Sequence, residues 1–296
     1  MTEETPPPPA RALDDLTRVV LAPNASPMTL EGTNTYMLGD AASGGLVVVD
    51  PGPDDPAHLA RVEAAIDGAD VAAVVITHHH HDHAEAAGWA ARWGAALRAF
   101  DPGLIPGASP MADGETLSAA GIDLTALHTP GHASDHLCLR IHQTDVVLTG
   151  DHVLGRGSTV VNWPDGDMTA YMDSLRRLAG APGARIYPGH GPEVDRPADK
   201  IAEYLAHRVD REAQIRAAID DGADTPPAIV RAVYTDVPEI LHPAAERSVR
   251  AVLAMLIDRG QADPTLMQET GDPIEPSTLA GQAPADTGPH DDEEQR

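Results

Sequence analysis

Short apolar, β-branched runs closed by glycine or proline recur from about residue 17 to residue 200: RVVLA, GLVVVD, VAAVVIT, DVVLTG and ARIYPG. Runs of this length and composition predict buried strands. With the helix-like stretches between them, they make this region an α/β sandwich. After Lys200 the strand signal fades. DKIAEYLAHRVDREAQIRAAID predicts a long amphipathic helix, and TPPAIVRAVY a short one with Thr225 as N-cap. In HPAAERSVRAVLAMLIDRG the apolar positions Val249, Val252, Leu253, Leu256 and Ile257 follow helical spacing, and Gly260 is the stop. Residues 17–203 thus read as one domain and 204–265 as a small helical one. The flanks 1–16 and 266–296 are Pro-rich or acidic, lack aromatic residues and read as disordered tails.

Composition narrows the partners. The chain of 296 residues carries a formal net charge of -26, and Lys200 is its only lysine among 20 basic residues. Such a field repels polyanions and weighs against unaided nucleic-acid binding. The single cysteine, Cys138, lies in the apolar run LCLRI and reads as a buried structural thiol. No run approaches the roughly 18 apolar residues that span a bilayer. The N-terminus has neither an apolar core nor transit-peptide character, so a cytoplasmic location is expected.

The chemistry concentrates in VAAVVITHHHHDHAEAAG, residues 71–88. An internal histidine run that directly follows a buried strand is not a purification tag. Counted back from Asp82–His83, it reads T-H-x-H-x-D-H. On an extended strand end His78 and His80 face the same way and can hold one ion. Asp82 and His83, past the turn, can reach a neighbouring one. His79 and His81 are expected to point into solvent. Three further strand-end turns add His132 (HTPGHASDH), Asp151 (VVLTGDHVLG) and His190 (ARIYPGHGP). Imidazoles and carboxylates suit zinc, with iron and manganese as alternatives, and the lack of cysteine ligands argues against a closed structural zinc site.

T-H-x-H-x-D-H followed by Pro-Gly-His, Gly-Asp and a second Pro-Gly-His resembles the metallo-β-lactamase superfamily, an αββα sandwich with a metal site at one edge. LAPNASPMTLEGTNTYMLGD, TPGHASDHLCLR, TGDHVLGRGSTVV, YPGHGPEV and KIAEYLAHRVDREAQI are similar to its β-lactamase-like protein 2 branch, which ends in a winged-helix domain. The resemblance spans roughly residues 17–260. It implies one metal site of His78, His80 and His132, a second of Asp82, His83 and His190, and Asp151 bridging them. Oxygen-reducing di-iron members carry an acidic residue at the position of His80, and the main zinc class of lactamases lacks the histidine at His83. Persulfide dioxygenases share the motif, which leaves an iron oxygenase open.

The expected reaction is hydrolysis by a hydroxide shared between two Zn²⁺ ions, with Asp82 orienting the nucleophile. Asp50, at a strand end, is as well read as a turn residue as it is as a group orienting a ligand histidine. His136 and His152 are candidate proton donors; His128, His142, His207 and His242 read as structural or exposed. In the loop 155–167, Arg156 and Ser158 are candidates to hold a phosphate and Trp163 to stack on a base. Asn34 and Tyr36 match the family pattern without an evident role. Animal members of the branch cleave single-stranded RNA, so an endoribonuclease-like phosphodiesterase is the first reading and a thioester hydrolase of the glyoxalase II type the second. The substrate is a small molecule or single-stranded RNA. Arg247, Arg250 and Arg259 lie beside Glu246 and Asp258, so the helical domain is not expected to read DNA sequence; a packing role, or a contact between copies of the chain, fits it better. No membrane partner is expected.

Overall fold

The computed structural model describes residues 10–39 and 45–268. Most of the residues read as tails, 1–9 and 269–296, lie outside that range. Within it, the N-terminal tail reading fails at Arg11–Ala12 (β1), which pairs antiparallel with Thr17–Leu21 (β2). At the other end Leu266 is buried against the helices.

The strands β1 to β7 form one sheet in sequential order: β1, β2, Asn34–Leu38 (β3), Leu46–Val49 (β4), Val71–Val75 (β5), Ala96–Ala99 (β6) and Ser109–Pro110 (β7). The second sheet contains Thr116–Ala119 (β8), Ile122–His128 (β9), Leu137–Ile141 (β10), Val146–Gly150 (β11) and Arg185–Pro188 (β12), in the order β12-β11-β10-β9-β8. The helices are Pro56–Ile66 (α1), His81–Ala84 (α2), Trp89–Arg92 (α3), Met168–Ala179 (α4), Pro197–Asp220 (α5), Pro226–Val233 (α6) and His242–Asp258 (α7).

The continuous apolar runs follow from burial on both faces. In β4 all four residues are buried. Val47 and Val49 face Leu124, Leu139 and Leu148 of the other sheet, while Leu46 and Val48 pack with Val62 and Ile66 of α1. On the far side of the second sheet, Cys138, Val147 and Ile186 pack with Tyr171 and Leu175 of α4 and with residues of α5 and α7. The central strands β4, β5 and β11 are therefore largely apolar toward both neighbours, whereas β9 at the flank alternates. The layers run α, β, β, α. Cys138 is buried and free, in the structural role expected of it.

Among the described residues no strand follows Pro188, so the C-terminal unit is helical. The proposed boundary at 203/204 falls inside α5, which runs unbroken for 24 residues. Its apolar stripe, Ile201, Tyr204 and Ile215, joins the same cluster as α4 and α7. Thr225 occupies the N-cap of α6 but makes no capping hydrogen bond. No helix among the described residues is long and apolar enough to cross a membrane.

Candidate metal centre

The sheets place the site at their strand ends. β4 and β5 run parallel, as do β11 and β12. Their C-terminal ends deliver Asp50, the run from His78, Asp151 and His190 to one edge, and the turn after β9 adds His132. Open α/β sheets bind ligands at such carboxyl ends. Two glycines permit the close approach. Gly131 sits at φ +139, and a Cβ there would lie 2.3 Å from Tyr171 Cα. A Cβ on Gly189 would fall 2.6 Å from Asp151 Oδ1 and 2.7 Å from His83 Cε1, inside the site.

All seven histidines and aspartates singled out in the sequence come together. They form three overlapping groups: His78, His80 and His132; His78, His83 and Asp151; and Asp82, His83 and His190. In the first, His78 Nε2 is 3.0 Å from His80 Nδ1, and His132 Nε2 is 2.9 Å from His80 Nδ1 and 3.3 Å from His78 Nε2. Ligand nitrogens about 2.0–2.1 Å from a tetrahedral Zn²⁺ stand about 3.3 Å apart, close to this spacing. In the third, His190 Nε2 is 3.0 Å from Asp82 Oδ2 and 3.2 Å from His83 Nε2. Asp151 lies between them, with Oδ1 3.3 Å from His83 Nε2 and Oδ2 3.4 Å from His190 and 3.8 Å from His132. Its Oδ1 is buried without a hydrogen-bond partner, as an oxygen awaiting a cation would be.

The far nitrogens fix how the rings present themselves. His132 Nδ1 donates to the Val160 carbonyl at 2.6 Å, His190 Nδ1 to the Gly32 carbonyl at 3.2 Å, and His83 Nδ1 to Asp50 Oδ2 at 2.8 Å. His78 Nδ1 lies 3.0 Å from Thr77 Oγ1, whose own proton goes to Asp50 Oδ2 at 2.7 Å. Each arrangement turns Nε2 toward the shared centre, the usual way outer partners orient metal ligands. Asp50 thus holds His83 directly and His78 through Thr77, and at φ 49 it is also the turn residue at the end of β4. Asn162, which nothing in the loop sequence singles out, places Nδ2 3.1 Å from His80 Nε2 and accepts from Arg247 of α7 at 2.8 Å.

Electrostatics divide the cluster. Burial holds His78 and His132 below the ordinary histidine range and His80 down at about 3. Burial also opposes charge on His83 and His190, but the carboxylates around them outweigh it: His83 is raised well above its usual value and His190 to about 9. Burial acts likewise against Asp82, yet His83 and His190 bring it to about 2. The donor set fits two divalent ions, one among neutral imidazoles and one beside carboxylates.

Several expectations need correction. His81 is 88% exposed, as anticipated, but His79 is not free: its Nδ1 is 2.8 Å from Asp135 Oδ1, a carboxylate only 2% exposed. His79→Ala is therefore expected to retain metal while losing about 1–3 kcal/mol of stability, because it strands a buried carboxylate. Calorimetric melting of the metal-loaded variant checks this; an unchanged melting temperature would refute it. His136 and His152 are fully buried. His136 Nε2 accepts from the Asp151 amide at 3.1 Å, and neither ring nitrogen of His152 has a partner among the described residues, so neither histidine reaches substrate. Trp163 packs in the helical cluster with Arg250 over its ring, not in a base pocket. Arg156 is tied to Glu31. Asn34 and Tyr36 do have a role: Asn34 donates to the Pro188 and Gly191 carbonyls and Tyr36 to that of Pro188, which pins the turn that carries His190.

Comparison with known proteins gives the same architecture. The metallo-beta-lactamase superfamily model matches residues 28–101 and 102–190, and the beta-lactamase associated winged helix domain model matches 225–265. The beta-lactamase-like protein 2 homolog of Caenorhabditis elegans is 31% identical over 273 residues, 85% of this chain and 88% of that protein. Thioesterase pkgB of Emericella nidulans is 35% identical over 205 residues, 66% of this chain and 56% of its own length. A metallo-beta-lactamase family protein from Thermus thermophilus superposes with a TM-score of 0.73 at 23% identity, covering 84% of this chain and 95% of that one.

Proposed function

The chain belongs to the metallo-β-lactamase superfamily and is one of its metal-dependent hydrolases; from that premise we propose that it works through a dinuclear zinc centre. The observation that carries the proposal is the pair of triads on either side of Asp151. Two divalent ions held there would lower the pKa of water to about 7 and polarise the oxygen of the bond under attack. The chain's own groups do the positioning. The Asp82 side chain is 29% exposed against 11% for Asp151, so Asp82 can both face the cluster and orient an attacking water. Asp50 and the Val160 and Gly32 carbonyls accept from the far Nδ1 atoms and so aim Nε2 of His83, His132 and His190 at the cluster.

Two substrate readings follow. Hydrolysis of single-stranded RNA is supported by likeness to the β-lactamase-like protein 2 branch across both domains. Hydrolysis of an acyl thioester is supported by likeness to thioesterase pkgB and by the cleft itself. A cavity of about 340 Å³ touches His132 and Asp151, and its walls include Met28, Leu30, Leu154, Val237 and Leu241. Among the described residues Tyr234 is the only Tyr, Trp or Phe lining it, and Arg211 already covers that ring at 4.1 Å. Non-specific single-strand binders use a basic groove with free stacking faces. The apolar walls and the lack of a free stacking face among the described residues, with the net charge of -26, make the thioester the favoured substrate.

The test is an assay of zinc-loaded protein on an acyl thioester, single-stranded RNA and a model phosphodiester. Thioester turnover that chelation abolishes is expected. RNA cleavage without thioester turnover would reverse the order of the two readings. Inactivity on all three, with oxygen uptake by iron-loaded protein, would replace the hydrolase by an oxygenase.

A further inference from the structure

The cleft contains two cations that no carboxylate among the described residues neutralises. Arg208 of α5 is 6% exposed; it donates to the Thr159 carbonyl at 2.5 Å and lies 4.9 Å from the centre of the Tyr171 ring, and its Nε has no partner. Arg211, one turn on, donates to the Val233 carbonyl at 2.7 Å, and its Nε is likewise buried and unpartnered. Among the described residues neither forms an ion pair, whereas Arg216 of the same helix pairs with Glu212 and Arg250 of α7 with Glu246. The contrast matters in a chain with 46 acidic residues against 20 basic ones, where a carboxylate partner is easily found. Desolvating a cation without a counter-charge is costly. His207 reports the same field: its pKa is lowered by burial and then by Arg208 and Arg211, and its Nδ1 has no partner. Arg208, Arg211 and His207 line the same cavity as His132 and Asp151.

We propose that Arg208 and Arg211 form an anion subsite, so that the substrate is a small, largely apolar molecule with a carboxylate or phosphate apart from the bond that is cleaved. The inference deepens the hydrolase reading and rests on it for the cleaved bond. About 340 Å³ falls within the range of small-molecule sites. Its apolar walls take the body of the molecule and the guanidinium groups, suited to planar oxyanions, take its charge.

The full-length, zinc-loaded protein is titrated calorimetrically with glutarate and, separately, with inorganic phosphate. At least one is expected to bind at one site per chain, with Kd raised about 10–100-fold in Arg211→Met and in Arg208→Met, the scale of a lost charge-assisted contact. Arg231→Met, an exposed change on α6, is the control. Should Arg208→Met fail to fold, Arg211→Met alone decides. Absence of binding by the unmodified protein, or unchanged affinity in Arg211→Met, overturns the subsite. A kinetic arm compares succinyl with butyryl N-acetylcysteamine thioesters. The unmodified enzyme is expected to prefer the succinyl ester about 10–100-fold in kcat/KM, and Arg211→Met to lose that preference. An equal preference in the two proteins also overturns the subsite. Anion binding that depends on Arg211 but without turnover of either ester upholds the subsite and refutes the thioester reading.

Discussion

Replacing Asp151 by alanine is expected to empty the metal centre and to lower kcat/KM by more than about a hundredfold. The carboxylate spans both triads, with Oδ1 3.3 Å from His83 and Oδ2 3.4 Å from His190 and 3.8 Å from His132. Changing an outer partner of a metal ligand costs about 10–100-fold in affinity or activity. A group that faces both sites should exceed that. The loss also removes the charge that most favours protonation of His83 and His190 over burial, leaving Asp82 beside both rings and Asp50 behind His83 as the only counter-charges among the described residues. Metal quantification by mass spectrometry, with circular dichroism to verify folding, measures the outcome. Two retained equivalents together with activity within tenfold of the unmodified enzyme would refute the bridging role.

Chelation should unfold the protein at a markedly lower temperature. Without ions, His78, His80 and His132 hold three ring nitrogens 2.9–3.3 Å apart, and burial keeps all three rings short of protons. Three uncharged rings then crowd one another with no cation between them. A ligand at 100 to 1,000 times its Kd adds about 2.7–4.1 kcal/mol to stability per site. At about 2–4 °C per kcal/mol for a chain of this order, removal of one ion should lower Tm by about 5–15 °C. Differential scanning calorimetry of chelated, as-purified and zinc-restored protein tests this. Melting within a degree or two in all three states would mean that the cluster is stable without its ions.

Five strands, β2, β4, β5, β11 and β12, were legible as apolar, β-branched runs, most plainly where every residue is buried, as at Leu46–Val49 and Val146–Gly150. The seven cluster residues were legible because each sits beside a strand end, where the turn residues advertise the position. What stayed hidden depends on distant contacts. Nothing local distinguishes Asn162, which faces His80 from 82 positions away and is held by Arg247 of α7. His79 was read as a solvent histidine because its partner, Asp135, lies 56 positions on. Tyr36 and Asn34 bond to carbonyls, which carry no side-chain signature. Arg208 and His207 were lost within an amphipathic helix, where a cation is usually assigned to solvent.

Helix α5 ties the two ends of the molecule into one lever. Tyr204 accepts the Leu154 amide at 2.9 Å, and Arg208 grips the Thr159 carbonyl, so the loop after Asp151 is bolted along the shaft at two points. Severing the polypeptide at 203/204 would leave Ile201 and Tyr204 on opposite fragments and bare the seam that they close. The halves should then behave as partners that must reassociate, rather than as independent modules, and any swivelling that admits a reactant has to come from the loops at the mouth.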